Sequence, residues 1–170
     1  MEKTIQLYTY QKNTDLHCLS AFATMKEFLN CDSLIKCRRF VLWDMVADCD
    51  SETKLVDTII TKSYYLLNTN KEDYYIKTIP LTSKENVHHV NVIVKSKIET
   101  QYNKIISNVN SKCNVNIKQL KRAIVWNLTV AASSYQEAEE YVSIQLLGES
   151  NKKHPLLLNP IFETYELAKI

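Results

Sequence analysis

The sequence predicts an α+β chain built from two tandem copies of one unit, strand–helix–strand–strand–helix–strand. Three observations carry this. Both tryptophans lie in similar strand-like blocks, RRFVLWDMVADCDSE and KRAIVWNLTVAASSY. The closing stretch LLLNPIFETYELAKI has an earlier counterpart in LLNTNKEDYYIKTIP. Strand-like and helix-like apolar periods also succeed one another in the same order in both halves.

Placing Trp43 over Trp126, an offset of 83, sets Arg39 on Arg122, Val41 on Ile124, Met45 on Leu128 and Ser51 on Ser134. Ile5, Leu7 and Thr9 fall near Val90, Val92 and Val94, while Leu19 meets Tyr102 and Phe22 meets Ile105. At the far end Leu66-Leu67-Asn68 matches Leu157-Leu158-Asn159 and Tyr74 matches Tyr165, now at an offset of 91. The second half thus holds about eight extra residues, and the polar, proline-ended GESNKKHP (148–155) is the natural insertion. The boundary falls in PLTSKEN, giving repeats 1–80 and 87–170 joined by 81–86.

Within the first repeat IQLYTY alternates as a strand, and Leu16, Leu19, Phe22, Ala23 and Met25 recur at helical spacing. LIKCRRFVLWDMVA is rich in β-branched and aromatic residues, fitting one long strand or a hairpin. Asp50-Ser51-Glu52 opens a second helix with Leu55, Ile59, Ile60 and Tyr64 down one side. In the second repeat Ser134-x-x-Glu137 is a capping box ahead of Ala138, Tyr141 and Val142. DYYIKTI and IFETYELA close the repeats as strands. This is the split βαβ, or ferredoxin-like, order. One such unit leaves part of its sheet uncovered, so two are expected to pack as a pseudo-twofold dimer of antiparallel sheets.

Composition excludes several functions. Of 170 residues 45% are apolar and 24% charged, with a net charge of +2, which gives no strong pull toward nucleic acid or an acidic membrane. MEKTIQLYTYQ has no apolar core of a secretory signal, and no apolar run approaches a membrane span, so a cytoplasmic protein is expected. The five cysteines are odd in number and free of CxxC spacing, which predicts reduced thiols rather than a disulfide framework or zinc site. The sequon Asn127-Leu128-Thr129 sits in a predicted strand and is read as chance. A single glycine, Gly148, cannot build a phosphate cradle or dinucleotide fingerprint. Positive-φ turns must then fall to Asn, Asp or Lys.

No convergent catalytic set is visible, so no catalytic residue and no metal are predicted. His17 and Cys18 are adjacent, and His88 and His89 are strand neighbours on opposite faces. His154 lies in the insertion, and Glu137, Glu139 and Glu140 form the wet side of a capped helix.

With these pieces in place, the chain resembles PurS, the small accessory subunit of phosphoribosylformylglycinamidine synthase, in two copies. The likeness rests on strand blocks ending in Asp50-Ser51-Glu52 and Ser133-Ser134, and on the helix start Gln136-Glu137-Ala138-Glu139-Glu140. It rests above all on LLLNPIFETY, with Leu157, Leu158, Asn159, Pro160, Glu163 and Tyr165. The family's Gly-Lys step reads Arg38-Arg39 and Lys121-Arg122 here, keeping the charge without the glycine. The resemblance implies a non-catalytic assembly subunit that bridges a PurL-like synthetase and a PurQ-like glutaminase and supports ammonia transfer. It implies no cofactor in this chain, with ATP and magnesium on the synthetase, and leaves room for further self-association.

Arg38, Arg39, Lys121 and Arg122 are candidate anchors for an acidic partner surface, or charges that keep a strand edge soluble. Trp43 and Trp126 suit either an interface or, by preference, the sheet core. Asn159 and Pro160 serve turn chemistry or touch a partner. Two other classes compete: an RNA-binding sheet, for which FVLWDM supplies aromatics without glycine, and a small-molecule-sensing domain pair.

Overall fold

Among the described residues, caps and period changes mark out ten elements. β1 (Glu2–Gln11) leads to α1 (Leu16–Glu27), whose N-cap Asp15 accepts a hydrogen bond from the Cys18 N–H at 3.2 Å. β2 (Leu34–Asp48) is followed by α2 (Glu52–Lys62), capped by the Ser51 hydroxyl, and by β3 (Glu72–Ile76). The second half repeats the order as β4 (Val87–Ser96), α3 (Asn103–Cys113), β5 (Asn116–Ala131), α4 (Tyr135–Gln145) and β6 (Glu163–Ala168). This computed structural model describes residues 1–82, 84–148 and 156–169. Apart from Gly148, with φ 75°, the insertion 148–155 lies outside the described residues.

The fold of the described residues is α+β, with four helices and a six-stranded antiparallel sheet ordered β3-β1-β2-β5-β4-β6. The choice between long strand and hairpin resolves the same way in both halves. β2 and β5 are single strands of 15 and 16 residues, because neither holds a glycine, a proline or a turn dipeptide to fold it back. Among the described residues the positive-φ positions other than Gly148 are Asn30, Lys77, Asn86 and Asn114, the residue types a glycine-poor chain must use.

Packing divides the chain into two units. Unit 1 comprises Met1–Asn13, Val41–Ile79 and Glu99–Ala123; unit 2 takes the other described residues. Ile5, Leu7, Trp43, Met45, Val56 and Ile59 from the first repeat form the core of unit 1 with Val109, Cys113, Ile117 and Leu120 from the second. Val90, Val92, Trp126, Leu128 and Val142 form that of unit 2 with Cys18, Met25 and Leu34 from the first repeat. So α3 completes unit 1 and α1 completes unit 2. The cores are thus a different partition of the chain from the repeats 1–80 and 87–170 expected from the sequence.

The inward faces of α1 and α3 share one spacing. On α1 it is Cys18, Ala21, Phe22, Met25 and Leu29; on α3 it is Tyr102, Ile105, Ile106, Val109 and Cys113. The helix offset is therefore 84 (Cys18 to Tyr102), not the 83 read from the tryptophans. One residue's slip turns a helix by about 100°, which moves the predicted face. Leu16 and Leu19 consequently stand outward, 74% and 54% exposed, and Cys18 takes the inward place assigned to Leu19. Tyr64, placed on α2 by the sequence, lies beyond its end and is exposed. Among the described residues no helix is long and apolar enough to cross a membrane.

Candidate partner-binding site

The basic candidates sit on the long strands, which contribute to both cores. Leu34 and Cys37 of β2 pack in unit 2, while Val41, Trp43, Met45 and Ala47 pack in unit 1. On β5, Ile117 and Leu120 pack in unit 1, and Ile124, Trp126, Leu128 and Val130 in unit 2. Arg39 belongs to unit 2 and Arg122 to unit 1.

Each arginine lies over the tryptophan of the other repeat. The Arg39 guanidinium carbon is 5.7 Å from the centroid of Trp126, and that of Arg122 is 5.8 Å from Trp43. Such a placement attracts the cation to the negative ring face. Arg39 also ion-pairs with Asp15 at 3.7 Å and is half-buried, with its Nε buried and without a hydrogen-bond partner. Arg122 is exposed, and among the described residues it has no acidic partner. Arg38 lies over Phe40 at 4.8 Å and donates to the Pro80 carbonyl at 3.4 Å. Lys121 is exposed. Of these four, Lys121 and Arg122 present their charge most openly.

Both tryptophans belong to the cores. Trp43 is 6% exposed, donates Nε1–H to the Leu66 carbonyl at 2.9 Å and meets Tyr102 edge-on. Trp126 is 7% exposed.

Asn159 and Pro160 open a turn whose bonding is duplicated in the first repeat. The Asn159 N–H donates to Glu163 Oε2 at 2.7 Å, and the Asn68 N–H to Glu72 Oε2 at 2.7 Å. Asn159 Oδ1 accepts from the Ile161 N–H at 3.0 Å, as Asn68 Oδ1 does from Asn70 at 3.1 Å. The Glu163 and Glu72 N–H groups return to the Asn159 and Asn68 carbonyls, each at 2.8 Å. Lys97 Nζ caps the Pro160 carbonyl, and Lys12 Nζ caps that of Thr69. Proline fits its place because no N–H is used there. The LLLNPIFETY ending is thus first a backbone device, with Asn159 and Glu163 bonded within the turn.

What distinguishes the two turns is their apolar tips. Ile161 and Phe162 are 73% and 56% exposed, where the first repeat has Asn70 and Lys71. The same contrast holds elsewhere. Leu19, Phe28 and Ile98, all exposed and all in unit 2, correspond to Asn103, Lys112 and Asn13 in unit 1. Sequence reasoning noted the ending but missed these outward apolar side chains, because it placed Leu19 in the core and took no account of which matched positions were polar.

The histidines divide as strand alternation requires. His89 Nδ1 is 3.1 Å from Thr129 Oγ1 and its Nε2 is 3.0 Å from the Thr82 carbonyl. His88 faces the other way, close enough to Glu137 to act on its charge. Glu137 Oε2 accepts from the Ser133 N–H at 2.8 Å and from the Ser133 hydroxyl, so the acidic half of the predicted box closes one residue before the N-cap Ser134. Those two bonds hold its carboxyl below the usual range. Among the described residues no group of three or more His, Cys, Asp or Glu is placed to hold a metal.

No protein-family model matches the chain, and no curated protein matches it in sequence.

Proposed function

We propose that the chain is a fused PurS-like pseudo-dimer, a non-catalytic assembly subunit of a phosphoribosylformylglycinamidine synthase in the cytoplasm. It bridges a synthetase that holds ATP and magnesium and a glutaminase that releases ammonia. The observation that carries this reading is the duplicated Asn–Glu turn, made with the same hydrogen bonds in both repeats on the sequence motif that resembles the family. The exchange of first helices between repeats supports it too, since a chain whose cores each need both repeats behaves as a dimer made in one piece.

Fusion frees the two units to diverge, and their surfaces differ in this way. The apolar tip Ile161–Phe162 beside Pro160 is the partner-contact element in this reading, with Lys121 and Arg122 as accessory charges. Aromatic and aliphatic anchors supply most of the affinity at interfaces of this kind.

The test is reconstitution. Tagged chain is used to recover synthetase and glutaminase subunits from its own cells, and glutamine-dependent synthase activity is assayed with and without it. The expected result is recovery of both, activity that requires the chain, and one chain per synthetase. Activity independent of the chain, or its recovery on RNA or a small metabolite instead, would overturn the reading.

A further inference from the structure

Cys18 stands in the first turn of α1, its N–H held by the N-cap Asp15. Its thiol donates to the Cys37 carbonyl on β2 at 3.2 Å, which places the two cysteines side by side. Cys18 is 8% exposed and Cys37 is half-buried, so a small oxidant has a short way to travel. Arg39, paired to Asp15, and Arg38 both act on Cys18, and a helix N-terminus adds partial positive charge.

The packing does not demand sulfur there. The matching positions of the second repeat are Tyr102 and Leu120, which fill the core of unit 1. Of the other cysteines, Cys31 and Cys113 are buried and Cys49 is half-buried.

We propose that Cys18 and Cys37 are a peroxide-sensitive thiol pair that closes to a disulfide tying α1 to β2 within unit 2. The Cys18 thiolate attacks one oxygen of hydrogen peroxide, the O–O bond breaks, and a sulfenic acid forms as water leaves after protonation. The Cys37 sulfur then attacks the Cys18 sulfur, the S–O bond breaks, and a second water leaves with the Cys37 proton. Two thiols give up two electrons and the peroxide takes both. The environment divides these roles. The Cys18 thiol is lowered, chiefly by the Cys37 side chain and further by the arginines, against burial and Asp15. That of Cys37 is raised by the Cys18 side chain and by burial. The pair would operate whether or not the chain joins a synthase.

The experiment treats the folded protein with hydrogen peroxide, alkylates it under denaturing conditions and maps the unreduced peptides by mass spectrometry. Free thiols are expected to fall from five to three, with one linked Cys18–Cys37 peptide. Cys37→Ser should leave Cys18 as a dimedone-reactive sulfenic acid, and Cys18→Ser or Cys18→Ala should leave Cys37 free. Oxidation should raise Tm by about 5 °C in the native chain and not in Cys37→Ser. Cys18 and Cys37 that remain alkylatable after oxidation, or Cys18 linked to Cys31 or to another chain, would overturn the proposal. Circular dichroism of each variant separates a misfolded control from a true negative.

Discussion

Arg39 lies 5.7 Å from the ring centroid of Trp126, and its guanidinium also reaches Asp15 at 3.7 Å. Among the described residues Arg122 has the ring contact with Trp43 and no ion pair. Truncating the two arginines therefore should not cost the same. Arg122→Ala is expected to lose about 0.5–1 kcal/mol, the range for an exposed cation over a ring. Arg39→Ala should lose about 1–2 kcal/mol, because it also strands a half-buried Asp15 at the α1 N-cap. Urea unfolding of both variants checks this, and equal losses would mean that Asp15 gains nothing from its partner.

The exchanged helices give a second expectation. Residues 1–80 expressed alone lack Val109, Cys113, Ile117 and Leu120, which fill the core of unit 1. Residues 87–170 alone lack Cys18, Met25 and Leu34 of unit 2. Each missing side chain removes about 1.5–3 kcal/mol of burial, so neither half should hold its native core. Mixed, they should form a one-to-one complex with the helix content of the intact chain, measured by size exclusion with light scattering and circular dichroism. Two independently folded monomers would contradict the core assignments.

The two Asn–Glu turns predict matched losses. Asn68→Ala and Asn159→Ala each remove one side-chain acceptor from a backbone N–H, at 3.1 and 3.0 Å, in otherwise similar turns. Each should cost about 0.5–2 kcal/mol, by analogy with lost helix caps, and the two values should agree within error in thermal or urea melts. A much larger loss on one side would point to a contact beyond the turn.

How much of this could be read from the residues depends on the kind of signal. The strand blocks were legible because β-branched and aromatic residues run through 34–48 and 116–131 without a breaker. The caps at Ser51 and Ser134 were legible because capping is local chemistry. The face of α1 was not. Leu16 and Leu19 carry the stronger apolar signal, and only the neighbouring strands reveal that Cys18, Ala21, Phe22 and Met25 turn inward. The exchange of α1 and α3 was also hidden, since period and propensity do not say which strands a helix covers. Asp15 and Lys97 escaped notice for a related reason: their partners Arg39 and Pro160 are brought near only by the fold.

Lys118 bridges Glu2 at 2.7 Å and Asp48 at 3.0 Å, which makes stability depend on pH at both ends of the range. The Asp48 carboxyl is lowered below its ordinary 3.8, first by the hydrogen bond from Lys118. A lowered carboxyl contributes stability that is present above its unfolded pKa and is lost as pH falls through the folded one. Lys118 is raised above its ordinary 10.5, first by its hydrogen bond to Glu2 and then by that to Asp48. A raised amine contributes stability that is complete below its unfolded pKa and disappears as pH rises through the folded one. The Tm gap between the native chain and Lys118→Met should therefore be flat from about pH 5 to pH 9, closing below about pH 4 and above about pH 10.5. The groups are open to solvent, so the plateau should be small and should shrink further in 1 M salt. A gap unchanged by pH and salt would show that the lysine acts through its hydrocarbon stem rather than its charge.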